Sequence, residues 1–328
     1  MQEELKGYIF GKEGVVMRYC FSFVSAILFL AVAMCSNVMY STTGAEAATT
    51  AATTAAAATD NPWYWISSDN NYTKYYNTSQ VRVQEAFGGI ATRITAVTKT
   101  TYSYGGAKET LDNYGIKDIR PNDLAYSLAT VQVCPQTRVL AYMDEVFYDK
   151  NGKKLWSKQY QPLKYKEMNS QEFDEDFYAY IVDSVFGMGE VERRSASDRW
   201  LLLRQERLPN GGYVSCMADT TTMRVNGENI IFWEWQEYKS ASGELVEIHF
   251  LKKAINIPQY TGKIVRYQHW NPREGWKDYT DRETDGAYHA VVKGSAEETE
   301  LKALQAYESR NQKWVHRYSL EDYESLYR

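Results

Sequence analysis

The stretch Asn77-Thr78-Ser79-Gln80-Val81-Arg82-Val83 has a counterpart in the second half of the chain, Asp219-Thr220-Thr221-Thr222-Met223-Arg224-Val225. Each copy follows a Trp-led segment and leads into a long strand-like run. A second pair of segments, Cys134–Tyr142 and Ile257–Tyr267, agrees in the same order with one insertion. Because several elements recur in one order, the sequence predicts a duplicated unit.

Each copy has the pattern of an antiparallel sheet followed by a helix. The β-branched run Ile90–Tyr102 predicts a long strand, and Ile230–Tyr238 is its counterpart in the second copy. Each copy then reaches a Gly-containing turn and a serine that can cap a helix, Ser170 or Ser295. At Ser295 the sequence Ser-Ala-Glu-Glu is a capping box. We expect the two closing helices to begin near these serines.

Two connections in the first copy have different signatures. Asn151-Gly152 predicts a type I′ hairpin turn, because Asn and Gly readily take the positive φ angles that this turn requires. The segment Ser103–Asp123 contains Gly105-Gly106 and Pro121, which predicts a loop with little regular structure.

These patterns predict an α+β fold made of two tandem antiparallel β-sheet modules, each closed by a C-terminal α-helix, after a signal peptide and an Ala/Thr linker. The predicted divisions are a leader and signal peptide (1–47), a low-complexity linker (48–60), the first module (61–189), a linker (190–197), the second module (198–310) and a tail or short helix (311–328).

The N-terminal segment has the features of an export signal. Tyr19–Ala45 contains no charged residue, and Phe21–Met34 is an apolar run of signal-peptide length that follows Arg18. Ala45-Glu46-Ala47 supplies a small-residue cleavage site. Acidic residues before Met17 fit an n-region poorly, so Met17 is the expected true start.

Two alternatives for this segment stay open. Tyr19–Tyr40 has about the ~20 residues that a membrane-spanning helix needs, so it could remain as an uncleaved anchor. Cys35 could instead carry a lipid, although Met34 stands where a lipobox has a small residue.

Composition excludes some functions and favours a sheet protein. The net charge of -5 argues against a nucleic-acid surface, and 27 Tyr with 9 Trp favour β-sheets. The chain lacks the G-x-S-x-G, Walker A, H-E-x-x-H, C-x-x-C and G-x-G-x-x-G motifs, and we expect no cofactor. None of the four histidines stands at metal-ligand spacing from another, and His249 and His289 are expected to be structural.

Two groups of residues are candidates for binding. Trp233 and Trp235 share one strand face and could stack on a sugar or a partner protein, although packing beneath the second helix is the favoured alternative. Asp281, Glu283 and Asp285 resemble the start of a calcium loop. Position twelve of that loop is Val instead of the bidentate Glu, so a solvated turn is favoured there.

Carboxylates and cysteines give weaker signals. A glycosidase needs two carboxylates facing one cleft, and a pair among Asp144, Glu145, Glu234 and Glu237 is the candidate. Cys134 and Cys216 stand at unmatched positions of the two copies. Export would permit a disulfide between them, and the sequence leaves that pairing open.

Several of these residues together resemble the surface-adhesin protein E domain. In the first copy they are Trp65, Tyr75-Tyr76-Asn77-Thr78-Ser79-Gln80-Val81, Cys134, Tyr148-Asp149-Lys150-Asn151-Gly152-Lys153 and Ser170; in the second they are Trp200, Asp219–Val225 and Gly294-Ser295. The resemblance implies a small antiparallel sheet with a helix packed on it. It also implies an exported bacterial protein, and some members of the family bind host matrix proteins.

We therefore expect an exported protein of the bacterial cell envelope that binds a protein or a glycan without catalysis. The alternatives are an envelope hydrolase of wall or sugar polymers and a purely structural envelope protein. No nucleic-acid partner is expected, and membrane contact is expected only through the N-terminal segment if it stays uncleaved.

The export signal gives a first testable prediction. The mature chain should begin near Ala48, because a signal peptidase cleaves after small residues such as those at Ala45-Glu46-Ala47. N-terminal sequencing or intact-mass measurement of envelope material checks this. A chain that retains Phe21–Met34 would support the anchored form instead.

Overall fold

The computed structural model of the protein describes residues 61–187, residue 192 and residues 196–319. The predicted leader, the Ala/Thr linker and the helix expected after Ser319 lie outside these residues. From Tyr64 onward the chain belongs to one compact unit that contains two β-sheets, here called sheet A and sheet B. Within the described residues, no helix is both long enough and apolar enough to cross a membrane.

Sheet A is formed by the first copy. Its elements are β1 (Trp63–Ser68), β2 (Tyr72–Asn77), β3 (Arg82–Phe87), β4 (Ile90–Tyr102), α1 (Tyr104–Tyr114), β5 (Tyr126–Cys134), β6 (Val139–Tyr148), β7 (Lys154–Gln159), β8 (Lys166–Glu167) and α2 (Glu175–Phe186). The strands follow the order β1-β2-β4-β5-β6-β7, while β3 pairs with β4 and β8 pairs with β6.

Sheet B is formed by the second copy. Its elements are α3 (Ala196–Arg199), β9 (Trp200–Arg207), β10 (Tyr213–Asn226), β11 (Asn229–Lys239), β12 (Leu245–Asn256), β13 (Thr261–Asn271), β14 (Gly275–Asp278), α4 (Thr280–Glu283), β15 (His289–Ala290), α5 (Ala296–Arg310) and α6 (Gln312–Val315). The strand order is β14-β13-β12-β11-β10-β9, and β15 pairs with β13.

The two sheets share one antiparallel plan. In each, the strands follow one another as a meander, and a two-residue strand returns to pair with the start of the fifth long strand, β6 or β13. In sheet B the single strand β10 takes the place of β2 and β3. Its pairing with β11 shifts register between Asp219 and Arg224, at the position that corresponds to the break between β2 and β3. A helix follows each sheet. The predicted fold class and the predicted common strand order are confirmed.

The repeated sequence stretch forms the same side-chain hydrogen bonds in both copies, at the break between β2 and β3 in sheet A and at the register shift of β10 in sheet B. Asn77 Oδ1 accepts from the backbone N–H of Ser79 at 3.0 Å and from its hydroxyl at 2.7 Å. Asp219 Oδ1 accepts from the backbone N–H of Thr221 at 3.1 Å and from its hydroxyl at 2.6 Å. In each copy a side-chain oxygen thus accepts the hydrogen bond of a backbone N–H that would otherwise pair with a neighbouring strand. This bond fixes where the regular pairing of the strand is disrupted.

Helix α1 corrects the prediction of a loop over Ser103–Asp123. Ser103 caps the helix by accepting from the N–H of Gly106 at 3.2 Å, and Gly115 ends it with φ 67°. A Cβ on Gly106 would lie 2.2 Å from the carbonyl oxygen of Asn71. The glycine therefore permits close packing of the first helical turn on the β1–β2 connection, instead of marking a turn.

Two further local predictions need correction. Helix α2 begins at Glu175 after Asp174, so the predicted start near Ser170 is wrong, whereas α5 begins directly after Ser295 as expected. In the β6–β7 hairpin only Gly152 has a positive φ, 78°, and its N–H donates to Asp149 O at 3.1 Å. A type I′ turn needs two positive φ values, so this hairpin has a different turn.

The core lies between each sheet and its helices. In sheet A, Phe177 and Ile181 of α2 pack on one end of the sheet, and Leu111 of α1 packs on the other end. In sheet B, Leu304 of α5 and Val315 of α6 cover the corresponding face. The burial of these apolar side chains is the main favourable contribution to folding.

A buried network of charges joins the two sheets. Arg138, in the β5–β6 turn, is only 1% exposed and donates to Met168 O at 2.9 Å and to Thr221 O of sheet B at 3.2 Å. Its guanidinium also forms ion pairs with Glu175, at 2.7 Å, and with Glu192. Glu192 falls in the predicted linker 190–197, yet it is buried.

Two more arginines extend the network. Arg199 pairs with Asp219 at 2.7 Å and with Glu175 at 2.7 Å. Arg317 pairs with Glu192 at 3.1 Å and donates to Thr221 O. Three guanidiniums therefore face three carboxylates, and no charge among these six residues is left unbalanced.

The cap of α5 generates a prediction about stability. Ser295 Oγ accepts from the N–H of Glu298 at 3.2 Å, and Glu298 accepts from the N–H of Gly294 at 2.7 Å. Ser295→Ala should lower the free energy of unfolding by ~1 kcal/mol, because it removes the partner of a first-turn donor. Urea unfolding of the full chain, followed by far-UV circular dichroism, measures this change.

Ser170→Ala is the matched control. The buried hydroxyl of Ser170 has no hydrogen-bond partner among the described residues, so its removal should leave stability equal or slightly higher. An equal loss in both variants would contradict the cap.

Candidate functional site

One face of sheet A is left partly accessible to solvent. Along β4, buried residues alternate with half-buried ones from Ile94 to Thr101, which is the pattern of a sheet with one covered and one open face. The helices α1 and α2 pack on the covered face. We call the other side the open face; its central residues are Tyr75, Lys99, Tyr126, Leu128, Val146 and Tyr148.

Aromatic rings and one cation form a row on the open face. Tyr126 and Tyr148 are paired across β5 and β6, and their rings stack with centroids 5.0 Å apart. Lys99 Nζ lies 4.8 Å from the ring centroid of Tyr126 and 5.9 Å from that of Tyr75. The row thus crosses four neighbouring strands, β2, β4, β5 and β6.

The predicted tryptophans lie elsewhere. Trp233 is 1% exposed and stacks on Phe250 with centroids 4.5 Å apart, and Trp235 is 6% exposed beside Trp200 and Trp276. Their burial contradicts an exposed stacking surface. They also do not pack beneath α5, because the alternate residues Ile230 and Phe232 take that face of β11.

The four candidate carboxylates do not converge. Asp144 accepts from Thr130 at 3.1 Å on the open face, whereas Glu145, its neighbour in β6, is buried on the covered face. Glu234 pairs with Lys253 at 2.7 Å in sheet B. Glu237 lies on the other face of β11 and accepts from Trp235 Nε1 at 3.1 Å. Strand alternation separates each neighbouring pair.

Glu145 belongs to a buried cluster with tyrosines. Its carboxylate accepts from Tyr114 OH at 2.5 Å and from Tyr160 OH at 3.1 Å. Burial raises the pKa of Glu145 to about 7, against the lowering effect of the two hydroxyls. Burial also raises the pKa of Asp174, whose carboxylate accepts from Tyr142 OH at 2.7 Å. Tyr114 belongs to α1, which encloses Glu145 from that side.

Glu234 belongs to a second buried cluster, with Cys216 and Glu300. Their ligand atoms lie within 4.8 Å of one another. Lys253 pairs with both carboxylates, at 2.7 Å and 2.8 Å, and Arg204 pairs with Glu300 at 2.6 Å. Burial raises the pKa of the Cys216 thiol to about 12, so it is protonated at neutral pH. The cations already balance the carboxylates, which makes this cluster an ion-pair core.

The calcium-like string is not assembled into a site. Asp281 and Glu283 lie in the short helix α4. Asp285 pairs with His289 at 2.9 Å and accepts from the N–H of Ala287. Within the described residues, the groups whose ligand atoms converge do not include these three carboxylates together.

The structure brings together three residues that the sequence did not connect, Glu247, His249 and His269. His249 and His269 are directly paired across β12 and β13, and Glu247 precedes His249 by two residues on the same face. Glu247 lies 3.4 Å from His249 Nε2 and 3.2 Å from His269 Nε2. Burial lowers the pKa of the His249 imidazole below its ordinary value.

A signal for this cluster is present in the sequence. Glu247 and His249 are two residues apart on one predicted strand, and His269 lies on the next strand. Their pairing depends on the register of the hairpin, which includes a shift between Lys252 and Lys253. One residue of slip would move His269 to the other face, so strand assignment alone could not establish the contact.

No disulfide joins the two cysteines of the described residues. Cys134 ends β5 in sheet A, and Cys216 lies within β10 in sheet B.

Comparison of the chain with protein-family models, with curated proteins and with solved structures gives no match. The open face and the clusters described above are therefore the features that indicate a function.

The buried Glu145 carboxyl predicts a pH dependence of stability. Its pKa is about 7 in the folded chain against an ordinary 4.5, so its contribution to the free energy of unfolding is full below about pH 4.5 and is lost as the pH rises through 7. In Glu145→Gln this decrease in the free energy of unfolding at high pH should be absent. The decrease in wild type is up to roughly 3 kcal/mol, because one pKa unit corresponds to ~1.4 kcal/mol.

The measurement is urea unfolding of wild type and Glu145→Gln at pH 5 and pH 8. Asp144→Asn controls for the loss of a β6 carboxylate on the open face. If wild type and Glu145→Gln lose stability equally between the two pH values, Glu145 is not the titrating group.

Proposed function

We propose that this protein is an exported bacterial cell-envelope protein that binds a protein or glycan ligand without catalysis, and that the open face of sheet A is its contact surface. The observation that carries the proposal is the row of Tyr75, Lys99, Tyr126 and Tyr148 across four strands. These side chains are half-buried, so they are held in place by their neighbours and still accessible to a ligand.

The chemistry of the open face suits recognition. Tyr side chains offer a large apolar area and a polar hydroxyl with few rotatable bonds, which lowers the entropy lost on binding. Thr101 and Thr130 lie on the same face and add hydroxyl groups. Lys99 adds a positive charge beside the rings, which favours ligands with acidic or aromatic groups.

Rigidity supports the same proposal. The strands that carry the row are paired along most of their length, and the helices on the covered face hold the sheet from behind. A surface that needs little ordering loses less free energy on association than a mobile loop. The expected export signal and the resemblance to the surface-adhesin protein E domain agree with a ligand outside the cell.

The alternative of an envelope hydrolase has less support. It requires two carboxylates that face one cleft, whereas Asp144 and Glu145 lie on opposite faces of sheet A and Glu234 is neutralised in sheet B. A purely structural role would leave the open face without a ligand.

Binding assays on the full chain test the proposal. Immobilised matrix proteins and wall glycans are screened with wild type, and the ligand found is then measured with Tyr126→Ala and Tyr148→Ala. Each substitution should weaken binding at least tenfold, about 1.4 kcal/mol, because a ring at the centre of an interface is a typical hot spot.

Tyr104→Ala is the matched control. Tyr104 is the exposed first residue of α1 and lies away from the open face, so its removal should leave affinity unchanged. Equal affinity of all variants would show that another surface binds the ligand. Turnover of a glycan that stops when one carboxylate is neutralised would favour the hydrolase.

A further inference from the structure

We propose that Glu247, His249 and His269 form a binding site for one divalent transition-metal ion of the zinc type. The site lies on the helix-side face of sheet B, on the neighbouring strands β12 and β13, and its three side chains are partly exposed. It is separate from the open face of sheet A, and the proposal does not depend on the proposed function.

The spacing of the ligand atoms fits a tetrahedral ion. Ligands about 2.0 to 2.1 Å from a tetrahedral Zn²⁺ lie ~3.3 Å from one another. The Glu247 carboxylate oxygens are 3.4 Å from His249 Nε2 and 3.2 Å from His269 Nε2. All three ligand atoms lie within 4.8 Å of one another. An ion can therefore enter with only small side-chain movements.

The charges around the site also favour a cation. Among the described residues, the basic side chains that contact the Glu247 carboxylate are His249 and His269. This differs from the Cys216 cluster, where Lys253 already lies between the carboxylates. A carboxylate whose partners are two imidazoles has its negative charge available to a metal ion.

Aromatic side chains form the walls of the site. The ring of Tyr238 lies 4.6 Å from that of His249, and Tyr267 contacts His249 at 5.4 Å. The ring of Tyr279 lies 5.9 Å from that of His269. These contacts restrict the rotamers of both imidazoles, which reduces the entropy lost when a metal orders them.

Comparison of the two copies shows that this end of the sheet has diverged. The hairpins close with Cys134 opposite Val139 in sheet A and with Asn256 opposite Thr261 in sheet B. Residues can be counted outward along both strands from these closing pairs, and each hairpin contains one register shift. By this count, His249 and His269 of sheet B occupy the positions of Ser127 and Phe147 in sheet A.

The equivalent positions differ in what covers them. In sheet A, Phe147 is buried against Ala107 and Leu111 of α1, the helix between β4 and β5. In sheet B the corresponding connection is a short turn from Lys239 to Leu245, without a helix. The second copy thus has two partly exposed imidazoles at the positions where the first has the fully buried side chains of Ser127 and Phe147.

The ligand set identifies the class of ion. Two imidazoles and one carboxylate are typical ligands of Zn²⁺, Fe²⁺ and related ions, whereas Ca²⁺ and Mg²⁺ prefer oxygen ligands alone. Three protein ligands also leave a fourth position of a tetrahedral ion for water or an external group.

Metal titration of the full chain, purified in mild detergent, tests the proposal. Wild type should take up one equivalent of Zn²⁺ in competition with a chromophoric chelator, and Co²⁺ should give the intense visible absorption of a tetrahedral complex. His249→Gln and His269→Gln should each weaken Zn²⁺ binding at least tenfold. His289→Gln is the matched control, because His289 also pairs with a carboxylate, Asp285, but is not part of a cluster with a second imidazole among the described residues.

Two measurements keep the test decisive if a histidine variant fails to fold. Glu247→Gln keeps the side-chain shape and should weaken Zn²⁺ binding at least tenfold. In wild type, Zn²⁺ should protect His249 and His269, but not His289, from diethyl pyrocarbonate, as mapped by mass spectrometry. Failure of wild type to bind Zn²⁺, or one-equivalent binding that none of these substitutions changes, would overturn the proposal.

Discussion

The buried guanidinium of Arg138 is the interaction on which the arrangement of the two sheets depends. It lies in the β5–β6 turn and reaches α2 through Glu175, the connecting segment through Glu192, and the register shift of β10 in sheet B through Thr221 O. A buried ion pair is weak evidence for stability by itself, but loss of one partner leaves an uncompensated charge and costs about 3 to 5 kcal/mol. Because the donors of one side chain point to three separate segments, the network specifies how sheet A and sheet B meet.

The two sheets share one strand order but differ in their connections and side chains, and they therefore offer different surfaces. In sheet A, α1 closes one end of the helix-side face, and the opposite face stays partly open with its row of tyrosines. In sheet B the corresponding connection has no helix, and Glu247, His249 and His269 are partly exposed on the helix-side face, while Trp233 and Phe250 are buried on the opposite face. Strands of the same order thus carry a row of tyrosines in one copy and a cluster of one carboxylate and two imidazoles in the other. The fold supplies the positions, and the side chains and connections decide what each position can do.

The sequence predicted the fold well because its signals are local. Strand runs such as Ile90–Tyr102 are recognised by β-branched residues, and the cap at Ser295 by its capping box. Prediction failed at residues whose type is explained by a contact with a segment distant in the sequence and not by the local structure. The glycine at 106 permits contact with Asn71 and does not mark a turn. Ser170 is a possible cap by type, yet α2 begins at Glu175, whose carboxylate pairs with Arg138 and Arg199.

The sequence by itself determined the α+β class, the antiparallel strands and a helix after each sheet, since these depend on residue types and spacing within short segments. The tertiary structure alone decided which side chains meet. Trp233 and Trp235 share a face in any strand, but whether that face is exposed depends on what packs against it. His249 and His269 lie side by side only because one register shift in the β12–β13 hairpin aligns them. Strand register and the burial of a sheet face arise from contacts between segments that are distant in the sequence. A single sequence does not show which of these segments are in contact.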